Sequence, residues 1–269
     1  MARYAVKVFY DGTAYHGFFP QPDQRTIADE ITQALQRSRL LRLPEGRFQA
    51  ASRTDAGASA LGQTIAFTTE ETFTPMRLNA FLPADIRCWA FTERPEGFNP
   101  RREAISREYV YVAPYSGEDL SAMREAVALF KGTHDFHNFT RTQQSPCIKT
   151  LRQVSVKLRR GFLFFHFSSK SYGWGMIRKI VWTLLKVGMG RVTLEDVERM
   201  LQSSYVLKRG VPLTPSENLM LLDVKYKFPF NVDVDALRTA VESLEARVAR
   251  ATLLELSLRR LRQCSIGPP

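Results

Sequence analysis

The stretch QAASRTDAGASALGQT, residues 49–64, sets one carboxylate, Asp55, beside Arg53 and Thr54 in a loop stripped of bulky side chains. A lone carboxylate can serve as a nucleophile or a general base, and a neighbouring arginine can hold it ionised. Asp and Gly also make ordinary turns, so the loop by itself leaves a chemical and a structural reading open. Other chemistries find less footing. His134 and His137 stand three apart in GTHDFHNFTR around Asp135, yet no further ligand at metal spacing follows, and no metal is expected. His16 and His166 alternate with apolar residues and read as core or surface histidines. Neither a glycine-rich phosphate loop nor a Gly-x-Ser-x-Gly elbow occurs. Cys88, Cys147 and Cys264 are too scattered for a zinc site or a disulfide framework, which fits a reducing compartment.

The elements that must position Asp55 alternate between strand and helix. RYAVKVFYDG has period two and stops at Asp-Gly, a strand running into a turn. TIADEITQALQRSRLL places Ile27, Ile31, Ala34 and Leu35 at helical spacing behind Thr26 as N-cap. RFQAAS and QTIAFTTE are strands flanking the Asp55 loop, TPMRLNAFLPADI contains a short helix, and IRCWAFTERP is a strand. The second half repeats the idiom. SREYVYVAPY is a strand, EDLSAMREAVALFKG a helix capped by Gly132, and LRQVSVKLRRGFLFFHFSSK a hairpin. GMIRKIVWTLLKVGMGR and TLEDVERMLQS are helices, and LMLLDVKYKF closes as a strand. The fold class is therefore α+β, with mainly antiparallel strands in two α/β subdomains, residues 1–105 and 106–230. Residues 231–269 form a helical extension, in which Leu237, Val241, Leu244, Val248 and Ala251 recur at 4-3-4-3 spacing. Such a seam suits a partner helix or the chain's own body equally well.

Charge narrows the class of partner. The chain of 269 residues carries a net +11. Residues 1–139 hold 16 Lys+Arg against 17 Asp+Glu, whereas residues 140–230 hold 16 against 5. A surplus confined to one block suggests a polyanion, most simply nucleic acid. No apolar run approaches the length of a membrane span, and the N-terminus has no leader pattern, so a cytoplasmic protein is expected.

Several segments, in order, resemble the TruA family of tRNA pseudouridine synthases. SRTDAGASA (52–60) is similar to the family loop GRTDAGVHA, and YDGTAYHGFFPQ (10–21) to its YDGxxYxGxQ. LPADI (82–86) resembles LPxDI, and FNPRREAISREYVY (98–111) resembles FHARxxAxxRxYxY. DFHNFTR resembles DFxxFxx, SYGWGMIRKIVW resembles FLxxMVRxIVG, and PSENLMLLDVKY resembles PxxGLxLxxVxY. The order holds over roughly residues 3–227. The chain departs at Ala58-Ser59 (for Val-His), at Asn99-Pro100 (for His-Ala), and at Gly175, where the family commonly has His. The resemblance implies a pseudouridine synthase fold, two subdomains flanking a central basic cleft.

It also implies the chemistry: breaking the uracil N1–C1′ bond, turning the base and rejoining it through C5, with no metal and no organic cofactor. A glycosidase needs two carboxylates. Uracil leaves as a stabilised anion that must stay bound, and one carboxylate can suffice. By resemblance Asp55 is that group. Arg178 matches the family arginine that keeps it charged, although on a basic helix it could instead contact phosphate. Arg53 matches the arginine that fills the space left by the flipped base; a simple salt bridge is its other reading. Tyr109 matches the tyrosine that stacks on uracil, whereas Tyr111, on the same strand face, has a core reading. Leu219 matches the residue closing the pocket opposite, and Thr54 and Gly57 come with the loop as substrate-binding positions.

The expected substrate is tRNA, in the anticodon stem-loop at positions 38–40, and the expected assembly a homodimer. Arg141, Lys149, Arg152, Arg159, Arg160, Lys170 and Lys179 are candidates for RNA phosphate contacts. A non-catalytic RNA-binding module on the same scaffold is the alternative from another class, and a glycosidase a third.

Overall fold

The computed structural model describes residues 1–41, 48–140 and 146–265, with side chains through residue 249 and at 251–254 and 257. Arg141 lies outside the described residues. The alternating N-terminal segment is strand β1 (Ala2–Tyr10), and helix α1 (Ile27–Arg37) follows, with the Thr26 side chain accepting from the Asp29 amide. Ile27, Ile31, Ala34 and Leu35 are buried along one side of α1, as their spacing requires. Strands β2 (Gln49–Ala50) and β3 (Ser59–Thr69) flank the Asp55 loop, and α2 (Pro75–Asn79) and β4 (Ile86–Arg94) complete the first half.

The second half runs β5 (Ser106–Pro114), α3 (Leu120–Phe130), β6 (Gly132–Asp135), β7 (Ile148–Arg159), β8 (Phe162–Ser169), α4 (Met176–Gly188), α5 (Leu194–Met200) and β9 (Leu219–Lys225). The short strand β10 (Asn231–Val232) then leads into α6 (Val234–Ser265). Gly132, expected as the cap of α3, instead begins β6 at φ +108°, because Lys131 ends the helix in extended backbone. Strands β6 and β10 are absent from the sequence-based reading. They are four and two residues long and pair only at sheet edges, too short to show a periodicity.

All ten strands form one twisted, mostly antiparallel sheet in the order β10-β4-β1-β3-β9-β5-β8-β7-β6, with β2 paired to β3. The two halves are joined by β9, the last strand of the second half. It lies antiparallel to β5 and takes its other neighbour from the first half, pairing parallel to β3 at Ser59↔Met220 and Ala60↔Leu221. Helices α3 and α4 pack together over the second half, and α3 also contacts β7. Phe130, Phe136, Phe139, Phe165 and Phe167 fill the interior there.

Helix α6 packs on the chain's own β4 and α2. Ala236 and Ala240 face inward, Ser243 Oγ donates to the Ala84 carbonyl, and Arg247 pairs with Asp11. The apolar seam points the other way: Leu237, Val241 and Val248 are exposed.

Candidate active site

Asp55 lies in the connection between β2 and β3 and sits at a cleft of about 820 Å³. The loop is held from beneath. Thr54 is buried, its Oγ1 shares a 2.8 Å hydrogen bond with the Tyr10 hydroxyl, and its carbonyl accepts from the Phe18 amide. The Ala58 amide donates back to the Asp55 carbonyl, closing a turn. Gly57 makes that turn possible. Its φ is +82°, and a Cβ there would meet Glu217 Cγ at 3.0 Å, so a larger residue would be both strained and crowded.

The decisive partner comes from the other half. Arg178, in the first turn of α4, places Nη1 2.8 Å from Asp55 Oδ2, and both side chains are largely shielded from solvent. The guanidinium is itself anchored, since Nε donates to the Thr214 carbonyl at 2.6 Å and Thr214 Oγ1 donates back to the Arg178 carbonyl. A second donor, Trp174 Nε1, reaches the other carboxylate oxygen, Oδ1, at 3.0 Å. The carboxylate is thus clamped on both oxygens.

Tyr109 and Leu219 line the same cleft from adjacent strands. Tyr109 is buried, with its ring edge-on to Tyr172 at 5.3 Å, and burial pushes its phenol above the usual range, so it stays protonated at neutral pH. Tyr111 packs in the core beside Phe165 and does not line the cleft. Arg53 lies exposed at the mouth, its guanidinium 5.8 Å from the Phe19 ring and 5.9 Å from the Trp174 ring. Both rings are within reach of a weak cation–π attraction. No ion pair of Arg53 occurs among the described residues.

The phosphate-contact candidates divide. Lys170 lines the cleft. Lys179 must be withdrawn: its side chain is buried and its ammonium donates 2.6 Å to the Thr140 carbonyl, an interior role in keeping with a pKa lowered by burial. Lys149 lies on β7 opposite His134, Arg152 reaches the Ile105 carbonyl, and Arg159 and Arg160 are exposed at the β7–β8 turn; none of these four lines the cleft.

In their place stand Arg101 and Arg102, exposed on the wall, and Arg107 beneath them. Arg107 is buried and ties three segments together. It donates to the Ala51 carbonyl, to Ser52 Oγ, to the Arg101 carbonyl and to the Lys170 carbonyl. Desolvation lowers its pKa, yet these acceptors satisfy its fork. The motif FNPRREAISREYVY contains all three arginines, so the signal was present. Nothing in the motif alone separates a buried brace from a strand-surface cation.

A family model described as tRNA pseudouridine synthase matches residues 126–227. The chain is 38% identical to the tRNA pseudouridine synthase A of Pyrococcus abyssi over 85% of its own length and 88% of that protein's. It is 38% identical to the Archaeoglobus fulgidus protein of the same name (92% and 93% covered) and 35% identical to that of Methanosarcina mazei (96% and 98%). The chain belongs to the tRNA pseudouridine synthase A family. The enzymes of that family are isomerases, and the cleft suits such chemistry: among the described residues lining it, Asp55 is the one acid, facing Arg53, Arg101, Arg102, Arg107, Lys170 and Arg178. Basic walls suit a polyanionic substrate. No group of His, Cys, Asp and Glu able to hold a metal occurs among the described residues. None of the described helices is long and apolar enough to cross a membrane.

Proposed function

We propose that this chain isomerises uridine to pseudouridine in the anticodon stem-loop of tRNA, with Asp55 as its single catalytic carboxylate. The observation that supports this most strongly is the Asp55–Arg178 pair at 2.8 Å, in a cleft otherwise lined by cations and by Tyr109 and Leu219. In the reaction the N1–C1′ bond breaks, uracil departs as an anion, the base turns and C5 bonds to C1′; the proton lost from C5 is matched by one taken up at N1, so the product is an isomer of the substrate. A carboxylate meets the electron-poor centre, and Arg178 steadies that carboxylate. Tyr109 and Leu219 enclose the uracil ring so that it turns without escaping. Arg53, extended at the mouth, supports the flipped nucleotide's vacated place in the RNA.

In this reading the Asp55 side of the cleft belongs to a catalytic unit of residues 1–105. Residues 106–230 supply Arg178 and Lys170, and residues 231–269 add the helical extension. The outward seam of α6, with Leu237, Val241 and Val248 exposed, supports a homodimer joined by that helix. The same reading implies a cytoplasmic enzyme that uses neither metal nor organic cofactor.

The test incubates unmodified tRNA with wild type and Asp55→Ala and maps pseudouridine. Wild type should convert anticodon-arm uridines, and Asp55→Ala should lose at least about 10³-fold in rate. Equal product from both would remove Asp55 from the mechanism. Tight tRNA binding by wild type without product would favour the RNA-binding module, and released uracil a glycosidase.

A further inference from the structure

One departure from the family pattern, Gly175, stands between Trp174 and the Met-Ile-Arg that carries Arg178. Gly175 is the N-cap of α4 with φ +72°, and a Cβ there would meet Leu213 Cδ2 at 2.8 Å. A left-handed residue at that point turns the chain sharply into the helix. Trp174 therefore enters the cleft, although it is 49% exposed, instead of extending away from it. Trp174 and Arg178 are four residues apart, and their donors meet the two oxygens of one carboxylate.

We infer that Trp174 is a positioning residue for Asp55: its indole N–H, acting with Arg178, fixes the rotation of the carboxylate about its Cβ–Cγ bond. This inference rests on the reading of Asp55 as the catalytic group. An arginine on Oδ2 alone leaves the carboxylate able to turn about that contact, and a terminal torsion of this kind has a broad energy well. A second donor on Oδ1 removes the freedom. Each carboxylate oxygen offers two lone-pair sites, so one bond to each still leaves acceptor capacity for the substrate. The indole ring also forms one flank of the Arg53 cation. The groove that receives the flipped nucleotide and the group that reacts with it thus share one side chain.

Three variants test this under single-turnover conditions with unmodified tRNA, with RNA affinity measured separately. Trp174→Phe keeps an aromatic ring and deletes the donor. Its rate at saturating RNA should fall about tenfold to a hundredfold, the worth of one hydrogen bond to a charged group, with RNA affinity within about twofold of wild type. Trp174→His returns a ring N–H and should recover part of that rate. Asp55→Ala runs in parallel. If Asp55→Ala is inactive and Trp174→Phe turns over like wild type, the inference on Trp174 fails while the reading of Asp55 stands. If Trp174→Phe loses affinity but keeps its rate, Trp174 is an RNA contact only, and the inference fails again. Full activity in Asp55→Ala would overturn both. A circular dichroism melt of each variant separates misfolding from these outcomes, and the site half-exposed to solvent leaves the core untouched.

Discussion

The cleft wall and the outer β7–β8 hairpin are both rich in cations, and they use them differently. On the hairpin, Lys157, Arg159 and Arg160 are exposed side chains whose charge reaches a partner only through solvent. In the cleft, Arg107 and Arg178 are shielded and bonded to carbonyls or a carboxylate. They fix geometry first and contribute field second. Concentration of charge along the chain points to the hairpin's block, yet Arg53, Arg101, Arg102 and Arg107 of the cleft come from the half that is balanced overall. A cation's location in the fold, and what it is bonded to, decides its role.

The sharpest test of this contrast is Arg178→Ala, which leaves Asp55 without its paired cation. Single-turnover rate should fall about 10²–10³-fold, because the charge of the reacting carboxylate is no longer offset in a shielded cleft. Arg178→Lys should restore only part of it, since an ammonium cannot reach both the Thr214 carbonyl and Asp55 in one planar fork. Next in size is Arg107→Met. Loss of a buried fork that satisfies several carbonyls should cost about 2–4 kcal/mol in urea unfolding, with much of the activity lost through disorder of the wall. A stability unchanged within error would reduce Arg107 to a surface-like cation.

Smaller still are the effects on RNA affinity. Arg101→Ala and Arg102→Ala should each lower the slope of log affinity against log salt by about 1, whereas Arg159→Ala and Arg160→Ala should leave it almost unchanged. Equal slopes across all four would erase the distinction between wall and hairpin.

The mildest prediction concerns pH. Burial raises the phenols of Tyr10, Tyr109, Tyr172 and Tyr226 and pushes the Cys88 thiol up to about 12. Raised pKa values favour the folded state below the unfolded phenol value of about 10, and that stability drains away as pH rises toward the folded values. Lys7 and Lys179, lowered mainly by burial, act in the opposite direction over the same window, as two groups against several. The melting temperature should therefore hold from pH 7 to 9 and decline above about pH 10. Activity should not fall through Tyr109 ionisation below that point. A loss of rate near pH 8 that tracks Tyr109→Phe would contradict its burial.

Much of the architecture is legible in local patterns, because period two and period 3.6 are set by the strand and helix backbones themselves. The alternation of β1, the capped stripe of α1, the β7–β8 hairpin and the long α6 all follow from spacing that a window of a dozen residues contains. The Asp55 loop is likewise readable as small residues around one acid. The seam of α6 shows the limit. Its 4-3-4-3 spacing is real, but the inward face is the alanine side, Ala236 and Ala240, since close approach to β4 and α2 needs small side chains. Lys179 shows it again, as a cation in a basic block that the fold turns inward to one carbonyl.

By itself, then, the chain's order of residues determined its α+β class, its polyanion preference and the loop that offers one carboxylate among small neighbours. The resemblance named Arg178 as the partner of that carboxylate; only the tertiary structure decided how it gets there and that Trp174 joins it. Arg178 and Trp174 lie 123 and 119 positions away from Asp55 and reach it because β9 pairs parallel to β3 and antiparallel to β5, joining the two halves into one sheet. No local periodicity specifies which strands become neighbours. That choice is made by burying both halves of the core at once, and it is what brings a guanidinium and an indole N–H to a carboxylate on a turn that could otherwise have been only a turn.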